Sequence, residues 1–477
     1  MSNATNDIAV IGMGVMGANL ARNFSSRGLR VGVYNRTTSV ADEVIQNHPD
    51  AELAKADDLP ALVAALKKPR RIILMVSAGK AVDAVLDSLD PHLEEGDIIV
   101  DAGNSHFADT DRRCERAEKR PWRFMGMGVS GGAEGALLGP SIMPGGDVEA
   151  WNNLQPVLEA AAAKSDSGSC VAYCGSGSAG HFVKMVHNGI EYGDMQLIAE
   201  AAVLMRHGLG MPSRAVADTF AEWNKGDLDS FLIEITTDIF RTPDPKHDGA
   251  LLVDSILDKA GQKGTGRWTV LAAVQLGVAI PTIAAAVDAR ALSAQKDLRV
   301  QAEKEFQPRR TALAGVTTND IRAALYAAKV ASYTQGFALL RTASEERGYG
   351  SNFGEISRIW KEGCIIRAQF LDRVRDAFSE NPGLELLALA PSFREDLAER
   401  MPGFRNVVSS ALRAGIAVPG LSASLGYFDT LTTARGSANL IQAQRDYFGS
   451  HTYQRLDDPG VSVHTDWQSS VAKSESL

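Results

Sequence analysis

Lys184, His187, Asn188, Glu191 and Tyr192 are the residues of this sequence whose types and spacing most directly invite chemistry. In a helix turning about 100° per residue they share one arc, while Met185, Val186 and Ile190 point elsewhere. An amine and a carboxyl two turns apart on one rigid face can take and return protons at neighbouring atoms of one substrate. The plainer reading is an amphipathic helix with a solvated face, which is the commoner cause of such a pattern.

A weak internal repeat speaks against that plainer reading. Arg206-His207-Gly208-Leu209-Gly210 followed by Trp223-Asn224-Lys225-Gly226 is echoed by Glu346-Arg347-Gly348-Tyr349-Gly350 followed by Trp360-Lys361-Glu362-Gly363. Shifting by the 140 residues between Gly208 and Gly348 brings the five polar positions onto Ala324, Ala327, Ala328, Ala331 and Ser332. A face kept only for solubility would stay charged in both copies; here one copy carries every proton-handling group.

A second constellation lies near the N-terminus. Gly12-Met13-Gly14-Val15-Met16-Gly17 fits G-x-G-x-x-G, a pattern that alone need be no more than a glycine-rich turn. Its context is stronger: the apolar run Ile8 to Ile11 leads in, a helical stretch from Ala18 to Ser26 leads out, and a second strand, Arg30 to Tyr34, follows. Gly12 permits the tight turn, Gly14 lets a pyrophosphate approach the backbone, and Gly17 lets helix and sheet pack closely. The expected ligand is a dinucleotide. After the second strand stands Asn35-Arg36-Thr37, where an NAD site usually places an acid. A guanidinium pairs with a ribose 2′-phosphate that an acid would repel, so NADP is the expected cofactor.

These residues need a frame, and the chain reads as three segments. Residues 1–179 alternate strand and helix patterns, with further strands at Arg71 to Val76 and Asp97 to Asp101, implying a parallel, doubly wound sheet of Rossmann type. A glycine-rich passage from Gly168 to Gly180 marks the boundary. Residues 180–434 read as an all-helical domain with an internal duplication, and 435–477 as an extended C-terminal tail with little helical periodicity. A chain of 477 residues exceeds one core, which agrees with several domains.

Bulk properties narrow the function classes. With 45% hydrophobic and 22% charged residues and a net charge of -9, neither nucleic acid nor an anionic membrane is an expected partner. Four cysteines, Cys114, Cys170, Cys174 and Cys364, make no disulfide framework, and no Cys or His pair completes a zinc-site spacing around Cys170 and Cys174, so no metal is expected. No basic leader and no apolar stretch of membrane-spanning length is legible, which points to a cytoplasmic protein.

At this point the motifs resemble, in order and over essentially the whole chain, those of the 6-phosphogluconate dehydrogenases. They are Val15-Met16-Gly17, Asn35-Arg36-Thr37, Gly103-Asn104-Ser105, Val129-Ser130-Gly131-Gly132, Gly139 to Gly146, Lys184 to Tyr192, Gln262 to Trp268 and Gln444 to Tyr453. The resemblance implies an NADP-dependent oxidative decarboxylation of 6-phosphogluconate, a step of the pentose phosphate pathway. Lys184 would be the base and Glu191 the acid. The cofactor would lie against Gly12 to Gly17, Asn35 to Thr37, Val76, Ser77, Ala78 and Asn104. The substrate carboxylate would meet Ser130, Gly131 and Gly132, and its hydroxyls Asn104, His187 and Asn188. Tyr192, Lys263, Thr265, Arg290 and Arg445 would hold its phosphate. The resemblance also implies a homodimer in which Arg445 and His451 of one subunit act at the other's site. This chain departs from the family pattern at Gly14, where Ala is more common, at Ser77, where many members carry Lys, and at Ala133, where many carry Glu. Two rivals are an enzyme of the same superfamily acting on an unphosphorylated 3-hydroxy acid and a silent NADP-binding protein. The phosphate cluster disfavours the first, and the intact Lys184 and Glu191 the second.

Overall fold

In the computed structural model, which describes residues 4–475, the first strand shows how the sheet is built. Ile8, Ala9, Val10 and Ile11 are all buried. Ile8 and Val10 join the core on one face of the sheet, and Ala9 and Ile11 the core on the other. A strand covered on both faces is apolar throughout, and that is the mark of a parallel sheet flanked by helices. Seven strands form this sheet: β1 (Ile8–Ile11), β2 (Val31–Tyr34), β3 (Leu53–Lys55), β4 (Arg71–Leu74), β5 (Ile98–Asp101), β6 (Arg123–Val129) and β7 (Ile142–Gly146). Their order is β3-β2-β1-β4-β5-β6-β7, with the direction of winding reversing between β1 and β4. Ligands of such sheets bind at that crevice, beyond the strands' carboxyl ends.

The helices between these strands are α1 (Val15–Ser26), α2 (Thr38–Asn47), α3 (Leu59–Ala64), α4 (Lys80–Leu89), α5 (Phe107–Ala117) and α6 (Gly132–Leu138), with α7 (Val148–Ala161) after β7. The parallel, doubly wound sheet carries one antiparallel strand at its edge. β7 runs antiparallel to β6, pairing Val129 with Ile142 and Met125 with Gly146. The short α6 between them returns the chain to the same end of the sheet, so no crossover brings β7 into parallel register. A small hairpin, β8 (Lys164–Ser165) with β9 (Gly168–Ser169), leads into the glycine-rich passage.

From Ala179 to Leu431 the regular elements are helical: α8 (Ala179–Val203), α9 (Ser213–Trp223), α10 (Phe231–Ile239), α11 (Thr265–Gln275), α12 (Pro281–Ser293), α13 (Lys296–Phe306), α14 (Thr318–Arg347), α15 (Phe353–Ile359), α16 (Phe370–Glu380), α17 (Pro391–Arg413) and α18 (Pro419–Leu431). The two repeat motifs end α8 and α14, the first through a π-turn at Leu204–Gly208 and the second with Gly348 in the left-handed region at φ 64°. α8 and α14 pack together through small residues. A Cβ on Gly193 would meet Ser332 Oγ at 2.4 Å, and one on Gly336 would meet Ile190 at 2.6 Å. A buried ion pair, Lys329 with Asp194, ties the same two helices.

Burial alters one step in the reading of the repeat. Ala324, Ala327, Ala328, Ala331 and Ser332 are wholly buried, because α14 runs through the middle of the helical region. Packing alone therefore explains why that copy is apolar, and the contrast between copies is not independent evidence of a site.

Chain contacts divide the molecule into two compact units, Met1–Ser424 and Leu425–Leu477. The second unit corrects the expected extended tail. It contains α19 (Ala438–Gly449), the hairpin β10 (Tyr453–Arg455) with β11 (Asp458–Val463), and α20 (Trp467–Glu475). The carboxylate of Asp446 organises it, accepting hydrogen bonds from the backbone N–H groups of Thr452 and Thr465 and from Trp467 Nε1, and facing His464 Nδ1 at 2.9 Å. Leu440, Ile441 and Phe448 on α19 are exposed, so the helix lacks the inward apolar stripe that periodicity detects. Met1 to Asn3, Ser476 and Leu477, at the ends of the expected first and last segments, lie outside the described residues.

Candidate active site

The glycine turn sits at the β1–α1 junction, where the sheet reverses. Gly12 has φ +101°, and a Cβ there would meet the Met75 carbonyl oxygen at 2.4 Å; a Cβ on Gly17 would meet the Gly12 carbonyl oxygen at 1.9 Å. Gly14, by contrast, has open space beside it. It caps α1 with no side-chain bond to the first turn and no acid within that turn, leaving the helix N–H groups for an anion. Val15 is exposed and Met13 buried.

Asn35 ties this turn to the end of β2. Its Oδ1 accepts from Met13 N at 2.9 Å, and its Nδ2 donates to the Thr37 carbonyl. Arg36 and Thr37 are exposed beside it. The loop after β4 brings Val76 against Gly12, with Ser77 and Ala78 exposed beyond it. A Cβ on Gly103 would meet the Val76 carbonyl oxygen at 3.0 Å, which sets the loop carrying the exposed Asn104 beside the same crevice. Asp101 steadies this loop by accepting from Gly103 N and Ser105 Oγ, while the buried Arg113 spans Asp101, Asp83 and the Gly79 carbonyl. The turn fits a dinucleotide phosphate, and Arg36 is free to meet a 2′-phosphate.

α8 crosses the edge of the sheet in close backbone contact. A Cβ on Gly180 would meet the Gly126 carbonyl oxygen at 2.3 Å, and one on Gly128 would meet Lys184 Cβ at 2.4 Å. The glycines of β6 and β7 therefore let the helix lie directly on the strands and fix where Lys184 emerges. One turn later His187, fully buried, faces Ser130 Oγ at 3.4 Å through Nε2 and Asn188 Oδ1 at 3.0 Å through Nδ1. Asn188 Nδ2 donates to Thr265 Oγ1 at 3.3 Å, at the start of α11. Glu191 Oε2 lies 4.0 Å from His187 Nδ1. Tyr192 packs on Gly266, and the Arg290 guanidinium lies 3.7 Å over its ring. Gly131 and Gly132 both have positive φ at the start of α6, and Gly132 has open space beside it.

The electrostatics of this face separate its two proton carriers. Burial pushes the Lys184 amine below its ordinary pKa against the opposing pull of Glu191 and Cys364. Burial pushes the Glu191 carboxyl up, and Asp194 adds to that, while Lys184 and Arg290 oppose it. Lys184 is half-buried, and the protein packed around it sets its desolvation. His187 is pushed well below the usual imidazole range by burial and by Lys184. Burial thus displaces both groups toward their uncharged forms, the directions that would suit an amine to accept a proton and a carboxyl to donate one.

Of the residues singled out in the sequence, the structure links Ser130, His187, Asn188, Glu191 and Thr265 by contact, and Tyr192 with Arg290. Lys263 is exposed in the loop before α11. Arg445 and His451 belong to the second unit; Arg445 donates to Gln442 Oε1 there. Sequence reasoning missed Trp360, Gly363 and Cys364. Trp360 meets His187 edge-on at 5.4 Å, and Cys364, its thiol pushed up to about 12 by burial, shares an electrostatic contact with Lys184. The signal was present in the second Trp-x-x-Gly, which served only as a repeat marker.

Comparison with known proteins gives the same picture. A family model described as the NAD binding domain of 6-phosphogluconate dehydrogenase matches residues 7–175, and one described as the 6-phosphogluconate dehydrogenase C-terminal domain matches residues 180–467. A rice chloroplastic decarboxylating 6-phosphogluconate dehydrogenase is 50% identical, covering 98% of this chain and 94% of its own. The Staphylococcus aureus (strain N315) decarboxylating enzyme is 48% identical over 97% of this chain and 99% of its own. A Plasmodium falciparum 6-phosphogluconate dehydrogenase, solved alone, with NADP+ and with 6-phosphogluconate, superposes with a TM-score of 0.94 at 45% identity, covering 97% of this chain and all of that one. With both of its segments matched and relatives aligned along nearly its full length, this chain belongs to the 6-phosphogluconate dehydrogenase family.

Proposed function

We propose that the protein catalyses the NADP-dependent oxidative decarboxylation of 6-phosphogluconate to ribulose 5-phosphate and carbon dioxide, as a step of the pentose phosphate pathway. The observation that carries this reading is the pairing of Lys184 and Glu191 on one face of α8, with opposite pKa displacements. The uncharged Lys184 amine takes the proton of the substrate 3-hydroxyl. Bound NADP supplies the acceptor for the hydride that leaves C3. The resulting β-keto acid loses carbon dioxide as its electrons move onto the new carbonyl, and the Lys184 ammonium stabilises the oxyanion by returning a proton. Glu191 then delivers a proton to C1 of the enediol while Lys184 takes back the hydroxyl proton, giving the ketose.

The residues around this pair supply orientation. Gly12 to Gly17 with the N-terminus of α1 would hold the pyrophosphate, Asn35, Arg36 and Thr37 the 2′-phosphate end, and Val76, Ser77, Ala78 and Asn104 the far side of the crevice. Ser130, Gly131 and Gly132 would receive the carboxylate; Asn104, His187 and Asn188 the hydroxyls; Tyr192, Lys263, Thr265 and Arg290 the phosphate. Arg445 and His451 complete the site from a second subunit, so the working form is a homodimer. Residues 1–179 then serve as the cofactor domain, 180–434 as the substrate domain built on a duplicated helical unit, and 435–477 as the arm given to the partner. Among the described residues no helix is long and apolar enough to cross a membrane.

Assaying NADPH formation with 6-phosphogluconate beside gluconate and 3-hydroxyisobutyrate tests this reading. Turnover confined to the phosphorylated acid is expected. Preference for an unphosphorylated acid would move the protein to the related superfamily, and no turnover of any would leave a silent binder.

A further inference from the structure

The loop Trp360 to Cys364, between α15 and α16, is held by a lysine that the proposed reaction does not use. Lys361 has a side chain only 7% exposed, and its ammonium meets Asp166 of the β8–β9 turn, Asp372 of α16 at 2.5 Å and Ser167 Oγ at 2.9 Å. Three acceptors use all three donors of the ammonium. The clamp therefore joins the cofactor segment to the second helical unit. In the first helical unit the equivalent residue is Asn224, half-buried, whose side chain accepts only from Ser230 N among the described residues. The fold of the repeat thus does not itself require a buried cation at this place.

On its other side the loop touches the proposed substrate residues. The Gly363 carbonyl accepts from Ser141 N at 2.8 Å, and the Ser141 carbonyl accepts from Ser130 N at 3.0 Å. A Cβ on Gly131 would come within 2.6 Å of the same Gly363 oxygen. Ser141 Oγ donates to the Ile359 carbonyl at 2.7 Å, closing the contact at the loop's start. Trp360 meets His187 edge-on at 5.4 Å. One five-residue loop thus underlies the carboxylate turn and the hydroxyl-binding histidine.

We propose that Lys361 is a positioning residue: clamped between Asp166 and Asp372, it holds the Trp360–Cys364 loop against Ser130, Gly131 and His187 and so sets the carboxylate end of the substrate pocket. This rests on the reading of those residues as substrate-binding. Misplacing such groups by a fraction of an ångström costs binding and rate without touching the distant cofactor turn.

The test is steady-state kinetics of Lys361→Met, Lys361→Arg and Asp166→Asn beside the unaltered enzyme. For Lys361→Met, the KM for 6-phosphogluconate should rise about tenfold or more with the KM for NADP held within about twofold, a split that general loosening would not give. Lys361→Arg keeps the charge and the donors and should recover most of the loss. Asp166 is largely exposed, so Asp166→Asn weakens the clamp in a folded protein and should give a smaller rise in the same constant. If Lys361→Met does not fold, Asp166→Asn decides. An unchanged substrate KM in the folded variants, or equal rises for substrate and NADP, overturns the proposal. If the unaltered enzyme fails to oxidise 6-phosphogluconate, it is the functional reading that falls.

Discussion

Lys184 and Glu191 are both half-buried on one helix, and burial displaces each toward its uncharged form. The sign of each displacement sets a limb of the pH profile. Under the proposed mechanism activity needs Lys184 unprotonated, so it should fall as pH drops through the lowered lysine pKa. It needs Glu191 protonated, so it falls again as pH rises through the raised carboxyl pKa. A bell-shaped profile of kcat is expected, and Glu191→Gln should slow turnover about 10²- to 10⁴-fold while removing the alkaline limb. A variant that keeps that limb would move the acid role to another group. These two residues were legible in the sequence because helical spacing sets which side chains share a face. Their protonation was not, since desolvation comes from elements that only the fold packs around the helix, β6 among them, whose Gly128 lies against the base of Lys184.

At the scale of elements, one buried carboxylate joins two helices of the substrate segment. Glu200 of α8 accepts from Gly420 N and Leu421 N, two of the unpaired donors that begin α18, at 2.7 and 2.9 Å. Burial pushes its pKa up to about 7. A carboxyl raised in the folded state favours folding below its ordinary pKa, and that contribution is lost as pH rises through about 7. Glu200 should therefore remove up to about 3 kcal/mol of stability as pH rises from its ordinary 4.5 to about 7. Urea midpoints of Glu200→Gln should lack this share of the slope; equal slopes in both proteins would show that Glu200 does not titrate there.

The strands β1, β2, β4 and β5 were readable to within about two residues because parallel strands covered on both faces are uninterrupted apolar runs. β7 was not, because Ile142-Met143-Pro144-Gly145-Gly146 has the composition of a turn. Its glycines serve close contact with α8, which only the packed structure reveals. α19 escaped for the opposite reason, since its apolar side chains point outward.

For the whole molecule, the division of labour between subunits is the claim with the widest reach. Arg445 and His451 lie in the unit that begins at Leu425, whose first complete helix exposes Leu440, Ile441 and Phe448. If the arm acts in trans, Lys184→Met and Arg445→Ala should each be inactive alone yet regain activity when mixed and allowed to exchange subunits. The mixed dimer then holds one site with both an intact lysine and an intact arginine. No recovery in a mixture shown to exchange would place Arg445 on its own subunit's site. The sequence pointed to such an arm by resemblance alone, since neither charge nor periodicity says where a C-terminal unit docks.

The most direct test of the account is the single-turnover formation of NADPH and carbon dioxide from 6-phosphogluconate by Lys184→Met. The variant should fold and bind both ligands as the unaltered enzyme does, while both products form at least about 10²-fold more slowly. Formation of NADPH at the unaltered rate would contradict the assignment of Lys184 as the base, and with it the proton path along α8.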